Sequence, residues 1–309
     1  MTSPEQPSPR RPFIVRAIAG AYRRGRQLLG RARRSIESRV NARAERQRLR
    51  GREQQLRLAL RGTGLGETLL GVPNGDALAV VMCLWNRPER ITAVLTVLDQ
   101  QSTARRLRLI LWNNQPRDSA HYREAIRAFR ARGQLDSVEF IDSEHNIGGI
   151  GRFVALRRAV QAGYGGTFVM IDDDQDVSPD FIDDVMAVAA PRTVAGLWAW
   201  KTRETYWDRE RSNVRGEPVS YVGTGGCVCD SELVTHDEFF AALPARYLFM
   251  EDMWMSWLAA ANGWRVLSAP TPVEFVLGET DQYHSLIGQK QDFFQWLSDE
   301  RNLPRWTTG

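Results

Sequence analysis

The stretch that leaves this chain the fewest options runs from Asn146 to Ile182. It begins with a glycine loop, Asn-Ile-Gly-Gly-Ile-Gly-Arg, that opens a helix. The helix leads to a short apolar run, Thr167–Ile171, which ends in Asp172, Asp173 and Asp174. A short apolar run bounded by turn residues reads as a buried strand, and the carboxyl end of such a strand is where an α/β protein holds its ligands. Three consecutive acids at that end repel one another unless positive charge sits among them. The simplest candidate is a divalent cation of the magnesium or manganese type, which prefers carboxylate oxygens. The glycines let backbone N–H groups at the helix start approach an anion closely. A cation beside an anion-binding loop suggests a bound diphosphate.

The flanking sequence repeats the same alternation. Ala77–Trp85 is a continuous apolar run, as a buried parallel strand requires. It is followed by a predicted helix to Gln101, with Asn86 as cap and Pro88 in the first turn. Leu107–Trp112, Ser137–Ile141 and Thr167–Ile171 read as further strands, separated by helices over 118–133 and from the glycine loop to Gly163. Ser178-Pro179-Asp180 reads as the cap of the next helix. Strands alternating with helices of this length predict a doubly wound, mostly parallel sheet. The second half is less regular. Thr193–Trp200 reads as one strand, 201–222 as a charged loop carrying Trp207, and Gly223-Thr-Gly-Gly as a turn into a strand. Helices are predicted over 248–263 and 289–301, with a strand at Trp264–Ser268 between them.

Charge divides the chain. The net charge of +4 conceals 17 arginines within residues 10–61, set against Glu37, Glu45 and Glu53 alone, so a basic arm precedes an acidic body. Residues 1–12 are rich in Pro and Ser and are predicted disordered. From Phe13 to Arg34 apolar residues recur at helical spacing among arginines, a pattern that suits an anionic membrane surface. A packing arm and a nucleic-acid-binding arm are the alternatives, although no nucleic-acid reading motif accompanies the arginines. The expected organisation is an arm over 1–61, a glycine-rich hinge over 62–76 and a catalytic domain over 77–309, its halves meeting near residues 175 and 176. Cys83, Cys227 and Cys229 are too few for a disulfide scaffold, and no apolar run of membrane-spanning length occurs. The expectation is a cytoplasmic protein, peripheral on the inner face of the membrane if the arm binds lipid.

Taken in order, strand-Asn-Arg-Pro-Glu, strand-Asn-Asn, Asn-Ile-Gly-Gly-Ile-Gly-Arg, Ile-Asp-Asp-Asp, Gly-Thr-Gly-Gly and Phe-Met-Glu-Asp resemble a family-two GT-A glycosyltransferase. The chain is most similar there to galactofuranosyltransferase-like members, whose loops and acid triplets are comparable. The resemblance covers roughly residues 77–270 and leaves out the arm. It implies an α/β GT-A fold, Rossmann-like, with a basic helical N-terminal extension. It also implies metal-dependent, inverting transfer of a sugar from a nucleoside-diphosphate donor, a UDP-sugar, to a glycan, lipid-linked or protein acceptor.

The resemblance assigns roles residue by residue. Asp172 and Asp174 match the Asp-x-Asp motif, with Asp174 on a Mn2+ or Mg2+ ion and Asp172 beside it or near the ribose. Asn86, Arg87, Glu89, Asn113, Asn114, Asn146, Gly148, Gly149, Arg152, Asp172 and Asp173 match positions along the nucleotide sugar. Asp252, after Glu251, matches the general base of the Glu-Asp motif. Relatives add a histidine ligand after the next strand, where this chain has Glu274; the downstream histidine is His284, about ten residues later, so either His284 reaches back, Glu274 substitutes, or the site lacks this ligand. Trp198 and Trp200 alternate, which puts both on one strand face along an acceptor groove. A metal-dependent phosphohydrolase or nucleotidyltransferase on a similar sheet is one rival. A non-catalytic nucleic-acid-binding protein that uses the arm is another.

Overall fold

The structure, a computed structural model, describes residues 39–276 and 283–306. The expected disordered and amphipathic segments within residues 1–38 therefore lie outside the described residues. The chain forms two compact units, 1–52 and 53–309. In the first, residues 39–52 are helical. Arg39, Arg43, Arg46 and Arg50 are exposed there and recur at steps of three and four residues, a stripe along one side of the helix. No helix among the described residues is long and apolar enough to cross a membrane.

The second unit opens with helical residues 53–61, and over residues 78–170 strands alternate with helices. The strands are β1 (Glu67–Gly71), β2 (Leu78–Leu84), β3 (Leu107–Asn113), β4 (Leu135–Asp142), β5 (Thr167–Met170) and β6 (Gln175–Val177), then β7 (Thr193–Gly196), β8 (Ala199–Thr202), β9 (Arg209–Arg211), β10 (Tyr221–Val222), β11 (Cys227–Asp230), β12 (Arg265–Ser268) and β13 (Val273–Phe275). The longer helices are α1 (Ile91–Asp99), α2 (Ser119–Ala128), α3 (Ile150–Gln161), α4 (Phe181–Met186), α5 (Asp237–Ala241), α6 (Glu251–Ala261) and α7 (Tyr283–Ser298). Eight strands form the main sheet in the order β1-β4-β3-β2-β5-β11-β7-β12. Strands β4, β3, β2 and β5 run parallel, while β11 enters antiparallel between β5 and β7. The sheet is thus mixed α/β with a parallel centre, the fold class expected from the alternation.

Period-two burial explains why both faces are covered. Ala79, Val81, Ile110 and Trp112 face one core with α3 and α6, and Val80, Met82, Leu109 and Leu111 face the other with α1, α2 and α4. Helix α3 approaches so closely that a Cβ on Gly151 would lie 2.4 Å from Cδ1 of Trp112. The chain steps from β2 outward through β3 and β4, then returns to the other side of β2 as β5. That reversal opens a crevice beyond the carboxyl ends of β2 and β5.

Local readings shift in three places. Asn86 does not cap a helix: its backbone is left-handed (φ 58°), and its side chain accepts a hydrogen bond from Arg117. Nor does a side chain cap α4, since Ser178 Oγ pairs instead with Thr271 Oγ1. Thr193–Trp200 is two strands, β7 in the main sheet and β8 in a three-stranded sheet, order β10-β8-β9, so residues 201–222 hold the end of β8, β9 and β10 between loop segments. Within the stretch read as a hinge, residues 67–71 form edge strand β1, antiparallel to β4.

Candidate active site

The crevice is a cavity of about 240 Å³. Its walls come from the ends of β2, β3 and β5, the glycine loop before α3, the turn before β11, the start of α6 and one side of α7. Of the residues read from the sequence, Arg87, Asn114, Asn146, Gly148, Gly149, Arg152, Asp172, Asp173, Asp174, Glu251 and Asp252 line it. Asn86, Glu89 and Asn113 do not. Glu89 is exposed, and Asn113 is fully buried, its amide donating to Gln115 O, Ser119 Oγ and Asp142 Oδ1. That network braces the β3–α2 turn.

The three aspartates have separate environments. Asp173 is turned inward: it accepts from the Trp85 N–H at 3.0 Å and from Arg87 Nη1 at 2.9 Å, tying β5 to the end of β2. Arg87 and Asp173 therefore neutralise each other first. Asp174 lies 3.5 Å from the other Arg87 nitrogen, a longer and weaker pairing. Burial, then the charges of Asp172 and Asp173, push the Asp174 carboxyl up to about 7, against the pull of Arg87. Burial likewise raises Asp173 to about 6. Asp172 faces the cavity and accepts from Arg152 Nη2 at 2.9 Å.

Arg152 joins the two ends of the site. It is buried, and besides Asp172 it lies 3.7 Å from Glu251 and donates to the Gly149 carbonyl at 3.2 Å. Burial opposes its charge, but Asp172 and Glu251 more than offset that. Its guanidinium is thus engaged with two carboxylates, the pairing with a nearby acid that the sequence left open beside a phosphate contact. Glu251 is raised to about 7 by burial in spite of Arg152. Asp252 is less enclosed, its Oδ1 accepting from the Met253 N–H at 2.7 Å, and it too is raised, by burial before all else.

The glycine loop is held by its own asparagines. Asn146 Oδ1 accepts from the Gly148 N–H at 2.8 Å, closing a tight turn in which Gly148 has φ +73°. Asn114 bridges to the same loop, accepting from the Ile147 N–H and donating to the Gly148 carbonyl at 3.1 Å. A Cβ on Gly149 would stand 1.6 Å from Glu251 Oε1, so any side chain there would displace the Glu251 carboxylate. Gly225 similarly passes against Asp172, where a Cβ would be 2.4 Å from Oδ2.

Several wall residues were not singled out from the sequence. Trp85, Thr224, Leu286 and Lys290 line the cavity as well. The Gly223–Gly226 turn was the signal for Thr224. Lys290 carried none, because α7 is remote in sequence; it is the strongest counter-charge to the Asp252 carboxylate.

For a metal, Asp172 and Asp174 are the donors in reach. Among the described residues no group of three or more His, Cys, Asp or Glu side chains is arranged around one point as a metal cage. Glu274 is exposed on β13, whose register pairs it with Asp176. His284 begins α7, but its side chain lies outside the described residues. The backbone just after β13 does reach the triplet, since the Val276 N–H donates to the Asp174 carbonyl at 2.8 Å.

No protein-family model matches the chain. No curated protein matches it either. Among solved structures it is similar to the mannosyltransferase PcManGT from Pyrobaculum calidifontis in complex with GDP-Man and Mn2+. The identity is 14%, over 80% of this chain and 71% of that chain, with a TM-score of 0.48.

Proposed function

We propose that this protein is a metal-dependent glycosyltransferase that moves a sugar, with inversion, from a nucleoside-diphosphate donor to a hydroxyl of a glycan, lipid-linked or protein acceptor. The observation that carries the reading is the convergence of Asp172, Asp174 and Asp252 on one cavity floored by the glycine loop. A cage for a structural ion would need no separate carboxylate opposite, and a plain helix cap would not need three acids.

The donor set suits a hard cation. Asp174 is raised by burial first and then by the charges of Asp172 and Asp173, a setting a cation would relieve, and two aspartate oxygens leave most of an octahedral shell for phosphate and water. Asp172 and Asp174 would hold Mn2+ or Mg2+, with His284 or Glu274 as the expected further ligand. When bound, the ion supplies Lewis-acid stabilisation of the charge that develops on the leaving diphosphate.

The chain's own residues do the rest. The turn fixed by Asn114 and Asn146 sets the floor against which the donor, in our reading a UDP-sugar, lies. Asp252 takes the proton from the acceptor hydroxyl as that oxygen attacks the anomeric carbon, on the face opposite the breaking C–O bond. Burial lifts the Asp252 carboxyl above its ordinary range, which strengthens it as a base. Arg152 holds Asp172 and Glu251 in place. The arginine stripe of residues 39–52 suits attachment to an anionic cytoplasmic membrane surface, where each basic side chain contributes about 1 kcal/mol.

The test is a thermal-shift series with UDP, GDP and their sugars, with and without Mn2+. A ligand that binds only the folded chain raises its apparent stability. The expected result is stabilisation by a nucleoside diphosphate only when Mn2+ is present, lost in Asp174→Ala. Equal stabilisation of wild type and Asp174→Ala would remove the metal role.

A further inference from the structure

A buried donor beside the aspartate triplet stands without an acceptor. Gln175, the first residue of β6, is 5% exposed, and its Nε2 has no hydrogen-bond partner among the described residues. The other end of the amide is fixed, since Trp198 Nε1 donates to Gln175 Oε1 at 3.3 Å. An indole N–H can only donate, so the amide oxygen faces Trp198 and the NH2 group faces away from it. The indole is itself held. Arg211 stands 4.3 Å over its ring, and a Cβ on Gly223 would lie 3.1 Å from Trp198 Cβ.

The NH2 group is turned towards Asp172 across a glycine. The place of a Cβ on Gly225 lies 2.9 Å from Gln175 Nε2 and 2.4 Å from Asp172 Oδ2, so the two atoms flank a gap that a side chain on residue 225 would fill. Asp172 Oδ1 is already engaged, accepting from Arg152 Nη2 at 2.9 Å. A buried N–H is costly without an acceptor, and a charged carboxylate is the acceptor that offsets that cost best.

We propose that Gln175 is a positioning residue for the cation site: its Nε2 donates to Asp172 Oδ2 and, with Arg152 on Oδ1, sets the plane in which Asp172 meets the metal. The terminal torsion of an aspartate is broad, so turning the carboxylate about its Cβ–Cγ bond carries Oδ2 towards the amide. Trp198 orients the donor, and Gly225 leaves room for the contact. The proposal rests on the metal-dependent reading and adds a residue to it. A side chain that merely filled space behind the triplet would need no oriented donor there; an apolar one of the same length would serve.

The experiment titrates Mn2+ against the thermal stability of wild type, Gln175→Met and Trp198→Phe, with UDP or GDP present, whichever stabilises wild type. The midpoint Mn2+ concentration is read for each. Gln175→Met keeps the length of the side chain and removes the donor. Its midpoint is expected about tenfold higher, the usual worth of a group that holds a metal ligand from behind, with metal-free stability close to wild type. Trp198→Phe lets the amide turn and should raise the midpoint by less. A wild-type midpoint in Gln175→Met overturns the proposal. Should that variant fail to fold, Trp198→Phe decides, and a wild-type midpoint there overturns it. Absence of any Mn2+-dependent shift in wild type would instead remove the metal reading itself, so the two failures are told apart.

Discussion

The two walls of the cavity are built differently. The wall from β2, β3, β5 and the glycine loop draws on residues 83–174, and its groups sit at or shortly after strand ends or in the glycine loop and the first turn of α3. The opposite wall, from the turn before β11, the start of α6 and α7, gathers residues spread from 224 to 290. The first wall is bound by short, directional contacts to buried charges; the second, with its adjoining hairpin, relies on ring faces and long side chains. Local connectivity makes one wall rigid and legible, while the other depends on tertiary packing.

That contrast can be broken experimentally, and the largest effect should come from the one acid the second wall contributes to the chemistry. Asp252→Asn is expected to lower transfer about 10²–10⁴-fold, the usual worth of a positioned base, while donor-induced thermal shifts stay near wild type. Loss of donor binding as well would assign Asp252 to the first wall's task.

Next in size is Arg152→Met, which should destabilise the fold by about 3–5 kcal/mol in urea denaturation, because Asp172 and Glu251 would be left without their shared buried partner. A loss below about 1 kcal/mol would mean that solvent, not Arg152, neutralises those acids.

A smaller effect should appear with pH. Asp173, Asp174 and Glu251 have folded-state values of about 6, 7 and 7, above their ordinary 3.8 to 4.5. Between about pH 4 and 7 the folded chain therefore binds more protons than the unfolded one, and stability should fall as pH rises through that window. Added Mn2+ should recover more stability at pH 8 than at pH 5. A metal effect independent of pH would show that Asp174 is not the group the ion engages.

The first wall was readable because its residues obey simple rules. Apolar runs predicted β2, β3, β4 and β5; the acids come just after β5 and the glycine loop after β4. Fine chemistry was less readable: Asn113 braces a turn and Asn86 takes a left-handed backbone, and neither lines the cavity. The second wall hid for a physical reason. Residues 201–222 read as a loop because Arg209 and Arg211 break any apolar pattern, but both guanidiniums lie on indole faces, 4.3 Å over Trp200 and Trp198. Binary patterning scores such arginines as solvent-facing, whereas their planar cations pack like ring partners. Lys290 escaped notice because nothing near it in sequence marks a cavity.

Arg152 has a consequence that reaches beyond its own contacts. Since one guanidinium answers to Asp172 on one side and Glu251 on the other, whatever draws Asp172 away leaves that positive charge for Glu251 alone. The two rims are in conversation through a single side chain. Changes at Asp172 and Glu251 should then be strongly non-additive in a double-mutant cycle, and events at the Asp172 rim would be heard at α6, which carries Asp252, the proposed base.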